Sequence, residues 1–404
     1  MNVRICVCCM FLKHSKRFHY KIFIFAKQSP NVKKAIVSVI NDLSTDQRVH
    51  KVSLTLHQLG YDVTLVGRKQ SKSLPLAPRN YKTKRMFLLF EKGPLFYAEY
   101  QLRLFLYLLF HRANVLVAND LDTLLPNYLI SKFKRSNLVY DSHELFCEVP
   151  ELQNNPRKKN TWKRLERWIF PKLKNVFTVN DSIAKIYSDE YHVKLNVLRN
   201  IPLLANQQNF KRISKEELGI ATDKKIIVLQ GAGINIDRGA EEAVQTMQFV
   251  NDAELLIIGS GDVMPLLKQL VDELKLHEKV KFIGKVPFEK LLQYTHHADL
   301  GLTLDKDTNI NYRYSLPNKL FDYIHAGVPV LASGLVEVKK IITDYSVGDC
   351  IESHDPQHIA AKINTILSNQ QLLTDWKKNC KIAAEKLNWE TEQLQLIAVY
   401  KQFL

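Results

Sequence analysis

Residues 34–68 run KAIVSVINDLSTDQRVHKVSLTLHQLGYDVTLVGR. The β-branched run Lys34–Val39 ends at the polar pair Asn41-Asp42, and Asp46–Leu59 then repeats apolar residues at helical spacing until Gly60 stops it. A second strand-like run, YDVTLVGR, follows at residues 61–68. Strand, helix and strand in such short succession make a βαβ unit, which implies parallel strands joined by a right-handed crossover.

Outward from this unit, apolar runs bounded by turn residues or helical segments recur at Asn114–Ala118, Ser136–Tyr140 and Asn175–Val179. Residues 33–205 therefore form one α/β domain. After Pro202 the pattern breaks into a polar segment, Asn206–Glu217. A fresh series then begins with KKIIVLQGAG (224–233), AELLIIGSGD (253–262), VKFIGKV (280–286), DLGLTL (299–304) and GVPVLAS (327–333). This second α/β domain covers 206–388. The last helix, within 389–404, lies beyond the final strand and is expected to pack back on the first domain. Two parallel-sheet domains facing a cleft place a ligand outside the carboxyl ends of their strands.

The chain has 404 residues, more than one core usually holds, and its 46% hydrophobic and 24% charged content excludes disordered and fibrous classes. The most apolar stretch, Leu104–Phe110, is bracketed by Arg103 and Arg112 and is too short to cross a bilayer. Six scattered cysteines make no disulfide framework, and Cys6, Cys8 and Cys9 lack a second ligand pair at metal spacing, which fits a reducing compartment. Residues 1–32 resemble a weak signal peptide, but basic residues follow the apolar run where a cleavage site would be. They are expected to be a poorly ordered extension or an early start. The net charge of +16 is uneven: up to Ala205 there are 34 basic and 15 acidic residues, and after it 23 and 26. A half near +19 attracts polyanions, whether nucleic acid, anionic lipid or phosphorylated substrate. No zinc-finger spacing, RNP-like motif or basic zipper accompanies it, which argues against nucleic acid.

Two glycine turns leave strands of the second domain. Gly231-Ala232-Gly233 and Gly259-Ser260-Gly261 place small residues where backbone amides can approach phosphate, although neither completes a dinucleotide fingerprint and a lone Gly-x-Gly is more often just a tight turn. Arg238 follows the first turn with a fork suited to a diphosphate. In SLPNKLFDYIHAGVPV (315–330) a helix starts near Asn318, its N-terminus and Lys319 suit phosphate, and Asp322 sits one turn on, where it can take sugar or ribose hydroxyls or serve the helix dipole. In the first domain, YDSHE (140–144) puts His143 at a strand's carboxyl end between Asp141 and Glu144, either as a proton-handling group or as a structural one.

Taken together these pieces resemble the retaining glycosyltransferases of family 4, whose GT-B fold sets two Rossmann-like, doubly wound parallel-sheet domains about a central cleft. The resemblance runs from about Lys33 and includes ANDLDTL (118–124), YDSHEL (140–145) and VLRNIP (197–202); its nearest look is to bacterial enzymes building surface polysaccharide or lipopolysaccharide. It implies sugar transfer from a UDP- or GDP-linked donor to a hydroxyl of a lipid-linked or cell-surface glycan, with configuration retained, no cofactor and no obligatory metal. It also implies roles: Arg238 on the donor diphosphate with Lys319, Gly259 and Gly261 in the nucleotide pocket with Gly231 and Gly233, Asp322 on the ribose beside Asn318, and His143 near the transferred sugar.

Three departures stand out. Tyr314 replaces the first acid of the family's pair, Ala232 replaces a basic residue, and a glycine-rich loop gives way to residues 41–48, where Arg48 is a substitute anion contact. Asp120-Leu121-Asp122 mimics the metal motif of another transferase class and is taken as a strand-end turn, with Asp120 on the acceptor or phosphate side. The basic first domain, and Lys82–Arg112 with its mixed cations and aromatics, suit an anionic membrane face, so a cytoplasmic enzyme peripheral to the plasma membrane is expected. The competing readings are a sugar-nucleotide epimerase, a nucleic-acid binder and a catalytically dead scaffold.

Overall fold

The structure is a computed structural model and describes residues 32–44, 46–71, 73, 75–204 and 212–404. The cysteine cluster and the expected extension lie outside the described residues, apart from Val32; so does the start of the polar segment, through Lys211.

Among the described residues the chain forms two wholly parallel sheets. The first contains β1 (Lys34–Asp42), β2 (Asp62–Lys69), β3 (Lys82–Phe87), β4 (Val115–Asn119), β5 (Asn137–Ser142), β6 (Asn175–Thr178) and β7 (Leu195–Val197) in the order 3-2-1-4-5-6-7. The second contains β8 (Lys225–Gly231), β9 (Ala253–Gly259), β10 (Val280–Gly284), β11 (Leu300–Thr303), β12 (Val330–Ser333) and β13 (Gly348–Ile351) in the order 10-9-8-11-12-13. Each order reverses once, at β1/β4 and at β8/β11. Beyond the strand ends at such a reversal the connections diverge, which leaves a crevice for a ligand.

Both faces of each sheet are covered by helices, as its near-continuous apolar strands require. Ala35, Val37 and Val39 pack with Val49, Val52 and Leu56 of helix Gln47–Gln58, while Ile36 turns to a second cluster with Leu116, Tyr100 and Leu104. In the second sheet Ile227 and Leu229 face one core and Ile226 and Val228 the other. Asp46 starts the first of these helices by accepting Val49 N–H at 3.1 Å.

The terminal helix Trp389–Lys401 returns to the first domain. Trp389 Nε1 donates to Thr55 Oγ1 at 3.1 Å, Tyr61 O–H donates to the Tyr400 carbonyl at 2.7 Å, and Arg199 Nε reaches Glu392 at 2.8 Å. Three strands were not legible from the sequence pattern: β3, β7 and β13. All three are sheet edges, where an alternating or short pattern suffices, and β3 (KTKRMF) is mostly polar.

Candidate functional site

The carboxyl ends of both sheets face a cavity of about 540 Å³. Arg48, Arg68, His143 and Glu144 line it from the first domain, and Arg238, Ser315 and Asn318 from the second. Four polar atoms of this wall, Arg68 Nε, Asn200 Oδ1, Arg238 Nε and Ser315 Oγ, are buried with no hydrogen-bond partner among the described residues. Buried polar groups are ordinarily satisfied, so a cluster of exceptions in one cavity marks a place built for a polar ligand.

On the first-domain side His143 follows β5. Its Nδ1 lies 3.1 Å from Asp120 Oδ2 and its Nε2 3.2 Å from Asn119 Oδ1, and its backbone N–H donates to Asp120 Oδ1 at 2.8 Å. Both ring nitrogens thus face acceptors. Burial opposes charge on the ring, but Asp120 and then Asp141 outweigh it, so the imidazole is held well above its ordinary pKa and stays protonated. Asp120 is therefore the ring's positioning partner. It follows β4 with φ at 59° and ψ at 167°, a strained positive-φ backbone outside the left-handed helical region.

On the second-domain side the decisive group is one that the sequence analysis did not single out. Asp305, the second residue after β11 and 1% exposed, accepts Arg238 Nη1 at 2.8 Å, Lys319 Nζ at 3.2 Å and Thr303 Oγ1 at 3.0 Å. Burial disfavours the carboxylate, but Lys319 and Arg238 overcome this and keep it ionised. The guanidinium of Arg238 also lies over the Tyr312 ring at 4.1 Å. An acid one residue past a predicted strand of an α/β domain is the signal that would have found it.

Other expected site residues sit differently. Arg48 is no free anion contact: it is buried, its Nε and Nη2 pair with Asp141 at 3.0 and 2.6 Å, and its Nη1 donates to the Leu198 carbonyl at 2.6 Å. Asp322 lies off the cavity wall, taking Gln230 Nε2 at 3.2 Å and feeling the charge of Lys51 across the domains; burial raises its pKa to about 6. Tyr314 packs against the first domain's aromatic cluster, and its carbonyl accepts Asn180 Nδ2 at 2.7 Å.

The glycines of the two turns also stand outside the cavity wall. Gly259, at φ 136°, abuts the Gly231 carbonyl, where a Cβ would come within 1.8 Å, and a Cβ on Gly261 would meet the Ile234 carbonyl at 2.0 Å. Ser260 N–H donates to the Gly231 carbonyl at 3.3 Å and Ile234 N–H to the Ser260 carbonyl at 2.9 Å. Packing of one turn on the other thus requires Gly259 and Gly261, whereas Gly231 and Gly233 would each take a Cβ at an ordinary 3.6 Å contact. Asp122, the second acid of the metal-like triplet, is buried in helix Leu121–Lys134, where burial and Asp120 push its carboxyl well above the usual range.

Comparison with known proteins places this geometry in a family. The model for Glycosyltransferase Family 4 matches residues 46–203, and that for Glycosyl transferases group 1 matches 210–382. An uncharacterized glycosyltransferase of Methanocaldococcus jannaschii is 25% identical over 235 residues, 55% of each chain. The aligned region thus spans about half the length of that relative. Among solved structures, sucrose-phosphate synthase from Thermosynechococcus elongatus superposes with a TM-score of 0.76 at 17% identity, over 92% of this chain and 98% of that one. HepE of Anabaena, solved with UDP and glucose, gives 0.70 at 13% identity, over 92% and 100%. These likenesses establish the GT-B fold. With one glycosyltransferase family model covering each half, the chain belongs to the glycosyltransferases of family 4.

Proposed function

We propose that the protein is a hexosyltransferase that moves a sugar from a nucleotide-diphosphate donor, UDP- or GDP-linked, to a hydroxyl of a lipid-linked or cell-surface glycan acceptor. The observation that carries this reading is the interdomain cavity, to which both domains contribute unpartnered polar atoms. HepE, with the same fold, was solved with UDP in complex, which supports a uridine nucleotide.

In this reading the diphosphate lies against Arg238, Lys319 and the first amides of helix Asn318–Ala326. The bond between the sugar's anomeric carbon and the diphosphate oxygen breaks, and its electron pair stays with the diphosphate. The acceptor oxygen bonds to that carbon on the same face, so configuration is retained, and its proton passes to the departing phosphate. Charge growing on the leaving group meets Arg238 and Lys319, whose shared partner Asp305 keeps them aimed; such preorganised stabilisation is often worth several kcal/mol. With two fixed cations at the diphosphate, no metal is required. His143, protonated and with its ring nitrogens on Asp120 and Asn119, supplies positive charge beside the sugar rather than a base.

The first domain rests, in the same proposal, on an anionic membrane surface. Helix Gly93–Phe110 exposes Leu102, Leu106 and Phe110, and the adjoining helix exposes Leu129 and Phe133. Lys132 and Arg112 supply nearby positive charge. No helix among the described residues is long and apolar enough to cross a membrane.

A thermal-shift panel of UDP, GDP, ADP and CDP, with and without magnesium, tests the donor reading. A ligand at ~100 times its dissociation constant stabilises the folded state by about 2.7 kcal/mol. A shift with one nucleotide, indifferent to magnesium, is expected, followed by release of that nucleotide from its sugar conjugate when acceptor is present. No shift with any nucleotide or its sugar conjugate would reject it in favour of a scaffold.

A further inference from the structure

The cavity has a cation that the donor does not use. Arg68 lies at the end of β2 and lines the first-domain wall together with Gln70. Its guanidinium lies over the Phe96 ring at 4.8 Å, which fixes the plane of the fork. Its Nε is buried without a hydrogen-bond partner, and no carboxylate among the described residues is within ion-pair distance of it.

The other charges on this wall have partners of their own: His143 faces Asp120 and Glu144 accepts from Asn311. Arg48 is held by Asp141, and Asp42 by Arg85 at 2.8 Å. Asp46 takes Asn41 Nδ2 at 3.1 Å and the helix N–H of Val49. Asp122 is buried in helix Leu121–Lys134 and makes no ion pair with Arg68, and burial and then Asp120 raise its carboxyl well above the usual range. A guanidinium held in a fixed plane, partly desolvated and without an internal counter-ion, is suited to an oxyanion that the fork can take bidentately.

We infer that Arg68 is an anion subsite of the acceptor, so that the molecule receiving the sugar carries a phosphoryl or similar oxyanion group that docks on Arg68. The inference rests on the transferase reading for the word acceptor, but the subsite itself does not. The hydroxyl to be glycosylated is then the one that reaches from Arg68 toward the His143 side of the cavity, and acceptors without the anion are poor substrates.

The test titrates the full chain with inorganic phosphate in saturating UDP, by calorimetry, for the wild type, Arg68→Gln, Arg68→Lys and the exposed neighbour Lys69→Gln. Wild type and Lys69→Gln are expected to bind alike, Arg68→Gln at least tenfold more weakly, and Arg68→Lys in between. Equal phosphate affinity in wild type and Arg68→Gln overturns the subsite, as does an equal loss in Lys69→Gln or no phosphate binding by the wild type. Arg68→Lys keeps the charge and guards against a folding defect in Arg68→Gln. The UDP titration of the same samples is separate: phosphate loss in Arg68→Gln alongside absent UDP binding would leave the subsite and reject the donor reading. Repeating the comparison with glycerol 3-phosphate and with phosphatidylinositol vesicles assigns the anion to a soluble ester or to a lipid headgroup, according to which loses affinity in Arg68→Gln.

Discussion

Asp305 accepts Nη1 of Arg238 at 2.8 Å from a position only 1% exposed, and its second oxygen takes Lys319 at 3.2 Å. One buried carboxylate therefore aims the two cations that the sequence nominated for the diphosphate. Removing its charge leaves two cations facing each other, and breaking a buried pair from one side typically costs about 3–5 kcal/mol. Asp305→Asn should lower stability by about 3 kcal/mol in urea unfolding at neutral pH. Because Lys319 and Arg238 hold the Asp305 pKa down, the stability it lends is present above the unfolded value near ~4 and fades as pH falls below it. The difference between wild type and Asp305→Asn should narrow in acid, and a constant gap from pH 7 down to pH 3 would contradict this.

Arg238 itself is expected to act on rate more than on folding. Its loss leaves Asp305 with Lys319 and Thr303, so the carboxylate keeps partners. Arg238→Gln should reduce kcat/KM by about 10²–10³, the effect of deleting one preorganised donor on a developing oxyanion. Transfer at wild-type rate by this variant would remove Arg238 from the diphosphate.

His143 is predicted to remain an imidazolium through neutral pH. Burial works against its charge, Asp120 and Asp141 prevail, and both ring nitrogens face acceptors at 3.1 and 3.2 Å. A raised histidine pKa contributes stability in full below the unfolded value near ~6.5, and that contribution is lost as pH rises through the folded value. Ring carbon NMR should show no titration of His143 between pH 6 and 8, and Asp120→Asn should bring its midpoint down by more than ~1 unit. An ordinary midpoint in the wild type would reopen a role as general base.

The two doubly wound sheets were legible because buried parallel strands repeat as apolar runs, and KAIVSV, KKIIVLQ and AELLIIG are of that kind. The edge strands were not, since β3 buries little and carries lysines at 82 and 84. The site was half legible. Arg238, Lys319, Asn318 and His143 stand out by residue type beside strand ends and helix starts, and they gather around one cavity or its supports. What a one-dimensional pattern cannot carry is which charge meets which. Arg48 finds Asp141 across 93 residues, and Arg238 finds Asp305 across 67, so one expected anion contact is a structural clamp and an unremarked acid is the hub. Gly259 and Gly261 carry a related ambiguity, because a glycine required by a neighbouring loop looks the same in sequence as one required by a phosphate.

Glu144 joins the domains through Asn311, whose Nδ2 donates to its carboxyl at 3.1 Å. Burial and then Asp120 push the Glu144 pKa up to about 7. A carboxyl whose folded pKa exceeds its unfolded one loses stability as pH climbs from the lower value to the higher. Glu144→Gln keeps the acceptor for Asn311 without the titration, so it should gain on the order of 1–2 kcal/mol over the wild type at pH 8 and nothing at pH 4. Melting curves at the two pH values decide this, and an equal effect at both would point to packing rather than charge.

The exposed face of helix Gly93–Phe110 gives the last prediction. Leu102, Leu106 and Phe110, at successive four-residue steps of one helix face, are 59%, 43% and 79% exposed, and Phe133 of helix Leu121–Lys134 is 75% exposed. Scattered single apolar residues on a surface need no explanation, but a contiguous group marks a binding face. The first domain's positive charge is expected to attract anionic lipid, and salt screens such attraction beyond about 8 Å at physiological ionic strength. The apolar contacts, by contrast, are indifferent to salt, and each fully buried large side chain is worth about 1.5–3 kcal/mol. Co-sedimentation with phosphatidylglycerol vesicles should therefore fall with added salt without vanishing. Leu106→Glu with Phe110→Glu should weaken it at least tenfold at every salt concentration, while far-UV spectra and nucleotide affinity hold. Binding that ignores both lipid charge and these substitutions would detach the enzyme from the membrane and leave the basic half to another polyanion.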